Sequence, residues 1–191
     1  MAIEPVRSAP PSSGIRLEEG RIYLRTLTEG DVGDTYIAWL NDPMVNRFLE
    51  TRHRKQDMEA VVEFVRRVNM RPDEHLFAIC LKASGKHVGN IKVGPVKPNH
   101  SLADVSLFIG DRDCWGKGYA TEAIRAISRH AIKDLRIVKL NATAYTLNQG
   151  SISAFLKAGY RNEGTRRKHY MLNGEPADLT ELGMCADEFE G

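Results

Sequence analysis

Apolar and polar positions first alternate over residues 21–27, where Ile22 and Leu24 stand between polar neighbours, the period of a half-buried strand. Thr28 is a candidate N-cap for a following helix that Pro43 brings to an end. Over residues 56–70 the residues Met58, Val61, Val62, Val65 and Val68 recur at helical spacing, a stripe suited to core packing. The strand period returns over 75–82 and 87–96, joined at Gly85 as a hairpin, and again over 103–109. There Val105, Leu107 and Ile109 share one face, and Asp104, Ser106 and Phe108 share the other. A helical pattern spans 119–133 with Ala120, Ala123, Ile124, Ile127 and Ala131 on its apolar side. Residues 137–145 predict a further strand. Asn148 and Ser151 open a shorter helix with Ile152 and Phe155 inward and Gly159 as its stop. Two last strands, over 160–170 and 178–185, flank a turn at Asn173-Gly174.

The order is strand, two helices, three strands, helix, strand, helix, two strands. It predicts a mixed α/β layered fold whose sheet is mostly antiparallel, with one parallel segment around the 119–133 helix. At 191 residues, 42% of them hydrophobic, the chain suits one core, expected as a single domain over 15–191. The composition of Ala9-Pro-Pro-Ser-Ser-Gly14 predicts a flexible tail over 1–14.

A net charge of +2 leaves no electrostatic footprint for nucleic acid, and no membrane partner is indicated. The three cysteines, Cys80, Cys114 and Cys185, lack metal-ligand spacing and point to the reducing cytoplasm. Cys114 would serve as a nucleophile only if folding brought a base to it. No metal is expected, because the six histidines show no ligand spacing.

The chemistry concentrates where Gly116 and Gly118 open the 119–133 helix. A glycine-spaced turn there exposes unpartnered backbone N–H groups at the positive end of the helix dipole, a site for phosphate or pyrophosphate. A P-loop would need Ser or Thr after Lys117, where Gly118 stands. A dinucleotide fingerprint would place Gly or Ala at Thr121. Neither motif fits.

The run Trp115-Gly-Lys-Gly-Tyr-Ala120 resembles the acyl-CoA signature of the GNAT acetyltransferases, Gln/Arg-x-x-Gly-x-Gly/Ala, with Trp115 in place of the first residue. That replacement is similar to the branch of ribosomal-protein N-terminal acetyltransferases. The resemblance runs from about residue 22 to 186. It implies the GNAT fold, a sheet splayed at the acetyl-CoA site with helices on both faces, and acetyl-CoA as cosubstrate. It allows a homodimer.

It also implies roles. Backbone amides from Gly116 through Lys117, Gly118, Tyr119 and Ala120 to Thr121 would surround the pyrophosphate. Phe108, Ile109 and Gly110 would pair with the pantetheine arm, an amide near Phe108 would meet the oxyanion, and Asn148 would bond the arm. Lys117 or Arg112 would reach a phosphate. Asp104, eleven residues before Trp115, corresponds to a catalytic Glu of histone acetyltransferases, with Glu50 as rival base and Glu163 behind it. The family's usual Tyr acid, seven positions after Asn148, is here Phe155, and Ser151 corresponds to the Ser of the ribosomal-protein branch.

Trp39, Asn41, Asn46 and Arg52, with Arg47, lie in a segment expected to form the acceptor wall. The segment resembles acetyltransferases acting on amino groups of nucleotide-linked sugars. The acceptor is accordingly a small-molecule amine of that kind or a protein N-terminus. A CoA-binding module without catalysis is the reading from another class.

Overall fold

The computed structural model describes residues 14–189. The tail expected over 1–14 lies, apart from Gly14, outside the described residues. Eight strands form one sheet in the order β1-β2-β3-β4-β5-β6-β8-β7. These are Arg16–Glu19, Ile22–Thr26, His75–Leu81, His87–Val93, Leu102–Ile109, Lys139–Tyr145, Arg161–Leu172 and Glu175–Cys185 for β1 to β8. The helices are α1 (Asp34–Asn41), α2 (Pro43–Asn46), α3 (Met58–Asn69), α4 (Tyr119–Lys133) and α5 (Gln149–Lys157). Among them no helix is long and apolar enough to cross a membrane.

Alternation along β3 explains the layering. Phe77 and Ile79 face one side, where β2, β4 and β5 add Ile22, Leu24, Ile91 and Val105 and α4 adds Ala123, Ile124, Ile127 and Ala131. Leu76, Ala78 and Cys80 face the other, under Tyr36, Trp39 and Leu40 of α1 and Val61, Val65 and Val68 of α3. Helices therefore cover both faces. All pairings but one are antiparallel. The exception joins β5 to β6 through α4 and lasts only from Leu102–Asp104 against Lys139–Asn141. Beyond it β5 stays with β4 up to Ile109, and β6 stays with β8 up to Tyr145. The sheet opens into a wedge there.

Three local expectations are corrected. The sequence pattern omitted β1, an edge strand of four residues whose only apolar side chain is Leu17. Thr28 does not cap α1. It heads a 3-10 turn at Glu29–Asp31, where the Asp31 carboxylate accepts from the Thr28 amide at 2.8 Å and from its hydroxyl at 2.9 Å. α1 begins after Gly33 instead. Met58 sits in the first turn of α3 with 41% of its surface exposed, off the apolar stripe.

Candidate active site

The wedge presents a half-used strand edge. Gly94 donates to the Asp104 carbonyl at 2.8 Å, and Gly110 donates to the Val88 carbonyl at 2.9 Å. An antiparallel ladder alternates, so Ser106 and Phe108 also turn their backbone groups toward β4. Val105 turns its amide to β6 at the last parallel pair, and beyond it Leu107 and Ile109 turn theirs toward the opening. The free amides beside Phe108 are therefore those of Leu107 and Ile109, while the Phe108 ring lines the wedge. The Ile109 carbonyl is already engaged, accepting from Trp115 Nε1 at 2.8 Å. Trp115 thereby ties the glycine turn to the end of β5.

Gly116 and Gly118 adopt φ of 71° and 86°, a left-handed backbone that other residues enter at a cost. Gly118 is the N-cap of α4, and its carbonyl accepts from the Glu122 amide at 3.1 Å. The amides of Tyr119, Ala120 and Thr121 precede that first helical bond and have no acceptor inside the helix. Space above Gly116 is open. The sequence pattern gave no hint that Arg21 braces this turn. Its guanidinium donates to the Lys117 carbonyl at 2.6 Å and to Glu122 at 2.8 and 2.5 Å. Lys117 itself has no carboxylate partner among the described residues. Arg112 instead pairs with Asp42 at 3.6 Å. Cys114 is buried, and burial together with Asp111 pushes its thiol pKa up, which keeps it protonated.

A cleft of about 1070 Å³ fills the wedge and continues between the 48–56 segment, α3 and β7. Of the candidate acids and bases, Glu50 and Ser151 line it, together with Asn148 and the buried Phe155 ring. Asn148 Oδ1 accepts from the Ser151 amide at 3.2 Å and so caps α5. The Ser151 hydroxyl makes no bond to any described residue. Asp104 does not line the cleft, because it sits at the narrow end where β5 and β6 are still paired. Glu163 is held by Lys139 on the exposed side of β7.

Glu50 has a partner that the sequence pattern did not suggest. The Tyr145 hydroxyl, at the end of β6, donates to Glu50 Oε1 at 3.0 Å and accepts from Arg52 Nη2 at 2.7 Å. Burial pushes the Glu50 carboxyl up, but the Tyr145 and Arg52 hydrogen bonds outweigh it and leave its pKa below the usual value. Burial is also the main reason that the Tyr145 pKa is raised.

The residues expected on the acceptor wall face inward. Trp39 packs on Gly110 and edge-on to His87, with ring centroids 5.2 Å apart. Asn41 Nδ2 donates to the Ile37 and Gln56 carbonyls at 3.0 and 2.8 Å, and Asn46 Nδ2 donates to the Leu40 carbonyl at 2.8 Å. Arg52 donates to the Leu49 and Met171 carbonyls at 2.8 and 3.0 Å, locking the 3-10 turn at Glu50–His53 to β7. These side chains build the wall from behind. The surface it offers is cationic: among the described residues Glu50 is the one lining carboxylate, against Arg54, Lys55, Arg67, Lys92 and Arg166. Lys92 is paired with Glu74 and Arg166 with Glu181. Arg54, Lys55 and Arg67 have no ion-pair partner among the described residues. No cluster that could hold a metal ion occurs among those residues either.

The model of a family described as "Acetyltransferase (GNAT) domain" matches residues 21–161. The uncharacterized N-acetyltransferase p20 of Bacillus licheniformis is 20% identical over 173 residues, covering 90% of this chain and 96% of its own. A GNAT-family acetyltransferase from Bacillus anthracis superposes with a TM-score of 0.78 at 21% identity, over 91% of this chain and all of its own. A spermidine N-acetyltransferase from Vibrio cholerae, in complex with CoA and spermine, gives 0.78 at 16% identity, over 88% and 97%. At those identities the two structures show the fold.

Proposed function

The chain belongs to the GNAT acetyltransferase family, and we propose that its acceptor is a primary amine carried on an anionic molecule, the amino sugar of a nucleotide-linked sugar being the best-fitting class. The observation that carries this reading is the charge of the cleft. One carboxylate, Glu50, can receive an ammonium group, while Arg54, Lys55 and Arg67 line the same cleft without an ion-pair partner among the described residues and suit phosphate oxygens. The same cations would repel a polyamine. A protein N-terminus is the second reading, supported by Trp115 and Ser151, which resemble the ribosomal-protein branch.

In this mechanism the amides of Tyr119, Ala120 and Thr121 hold the pyrophosphate of acetyl-CoA, with Gly116, Lys117 and Gly118 shaping the approach. The pantetheine arm pairs with the free edge of β5 at Leu107, and the Ile109 amide stands ready for the oxyanion. Glu50, rather than Asp104, takes the proton of the ammonium group, directly or through a water. The freed nitrogen lone pair attacks the thioester carbonyl and the C–N bond forms; as the tetrahedral intermediate collapses, the C–S bond breaks and the nitrogen gives up its second proton to water. Ser151, whose hydroxyl is not spent on capping, protonates the leaving thiolate and is reprotonated from that water.

The test is thiol release from acetyl-CoA with three acceptors in parallel: a nucleotide-linked amino sugar, spermidine and a peptide with a free N-terminal alanine. The amino sugar is expected to give the highest kcat/KM, and Glu50→Gln to lower it at least about 100-fold. Spermidine as the best acceptor, or a Glu50→Gln enzyme at the wild-type rate, would overturn the reading.

A further inference from the structure

Tyr145 is not part of the signature turn or of the family's usual acid position, yet among the described residues it is the one side chain that hydrogen-bonds both Glu50 and Arg52 from the opposite wall of the wedge. The residue is only 4% exposed and its ring lies between Phe48 at 5.8 Å and Tyr170 at 6.0 Å, which fixes where its hydroxyl points. Arg52 arrives with its own position settled by the Leu49 and Met171 carbonyls. A guanidinium can only donate, so Arg52 Nη2 must give a hydrogen to the Tyr145 oxygen. The hydroxyl proton is then committed to its other neighbour, Glu50 Oε1, at 3.0 Å. The direction of the relay is dictated by chemistry.

We propose that Tyr145 is a positioning residue for the base: oriented by Arg52, it pins Glu50 Oε1 by donating to it and leaves Oε2 to receive the acceptor's proton. The inference rests on the reading of Glu50 as the base. Glu50 stands on an exposed turn, with its side chain 63% accessible, so without an anchor its carboxylate would sample several rotamers in water. Arg52 also donates to Oε1 from Nη1 at 3.0 Å, so both anchors hold the same oxygen. Among the described residues Oε2 meets only His53 Nε2, at 3.5 Å on the solvent side.

The groups acting directly on Glu50 are Arg52 and His53 of its own turn and Tyr145 of β6. Arg54 and Lys55 after the turn, Arg67 of α3, Lys92 of β4 and Arg166, His169 and Tyr170 of β7 share the cleft with it, and Lys92 is held by Glu74. Arg166 is spent on Glu181. Removing the Tyr145 hydroxyl therefore takes away one of two donors to the carboxylate, and the ionised form loses support. The sign follows: the Glu50 pKa rises, and the acid limb of the rate profile moves to higher pH.

The experiment is Tyr145→Phe in the full chain, read three ways. Carboxyl-carbon NMR with labelled glutamate, assigned through Glu50→Gln, follows the Glu50 titration directly and needs no acceptor. The wild type is expected to titrate below an ordinary glutamate and Tyr145→Phe at least half a pH unit higher. With the best acceptor of the three above, kcat is expected to fall about tenfold, and its acid limb to move with the NMR titration. Calorimetric affinity for acetyl-CoA is expected to stay within twofold. An unmoved Glu50 titration in Tyr145→Phe would overturn the proposal. So would a wild-type Glu50 titrating as an ordinary glutamate, which needs no variant to fold. Glu50→Gln at full rate would strike the reading of the base instead, with the NMR result left standing, so the two failures are told apart.

Discussion

Trp39 lies so close to Gly110 that a Cβ on the glycine would stand 2.2 Å from Cδ2 of the ring. No side chain fits there without moving the indole, which belongs to the buried layer of α1 and α3. Gly110 also follows Ile109, whose amide faces the wedge, so the contact joins the acceptor-side helices to the cofactor-side strand. Gly110→Ala is expected to destabilise the fold by about 1–3 kcal/mol, the usual range for forcing a methylene into a packed site. Urea unfolding measures that, and acetyl-CoA affinity should fall with it. An unchanged midpoint would mean that Trp39 yields more freely than its packing implies.

Gly118 tests the cofactor grip. Its φ of 86° favours glycine and tolerates asparagine better than other side chains, and a Cβ there would come 3.3 Å from Arg21 Nη2. Gly118→Asn should therefore keep the turn, whereas Gly118→Asp adds a negative charge where the pyrophosphate is expected. Calorimetric titration with acetyl-CoA is expected to show at least tenfold weaker binding for the aspartate variant than for the asparagine variant. Equal affinities would remove the pyrophosphate from this turn.

Much of the architecture was legible because it rests on periodicity. α4 falls at Tyr119–Lys133 as its apolar stripe predicts, and β5 keeps the two faces that its alternation sets out. The glycine turn was legible for a related reason, since left-handed backbone leaves its mark as glycine. Side-chain destinations were not legible. Asn41 and Asn46 look in sequence like residues waiting for a sugar hydroxyl, and both spend their amides on backbone carbonyls of their own wall. Tyr145 ends a strand between Ala144 and Thr146, and nothing local reveals that Arg52, 93 positions away, meets its hydroxyl. Asp104 and Glu50 are both plausible in sequence as bases. Their separation depends on where β5 and β6 part company, a property of three-dimensional register alone.

Ser151 and Asn148 divide two tasks that one sequence position suggested for either. Asn148 caps α5 and should be needed for stability, with Asn148→Ala costing about 1 kcal/mol. Ser151 faces the cleft with its hydroxyl uncommitted. Ser151→Ala is expected to leave the melting temperature within about 2 °C and acetyl-CoA affinity within twofold, while lowering kcat about tenfold or more. Turnover at the wild-type rate would assign thiolate protonation to solvent.

Asp31 gives a pH dependence of stability with a definite sign. Burial would raise its pKa, but two hydrogen bonds from Arg25, at 2.8 and 2.6 Å, and two from Thr28 bring it down to about 2 from the ordinary 3.8. A carboxyl whose pKa is lower in the folded state stabilises the fold above its unfolded value and loses that contribution as pH falls toward its folded value. The window is therefore pH 4 down to 2. Such a shift alone would imply roughly 2 kcal/mol, which solvent screening at the partly exposed Arg25 reduces to about 1 kcal/mol. Asp31→Asn cannot titrate and keeps weaker bonds to the same donors. Urea unfolding at pH 7, 4 and 2.5 should show the variant less stable than wild type at pH 7 and the gap reduced by more than half at pH 2.5. A gap of constant size across that range would mean that the ionisation of Asp31 contributes nothing to the fold.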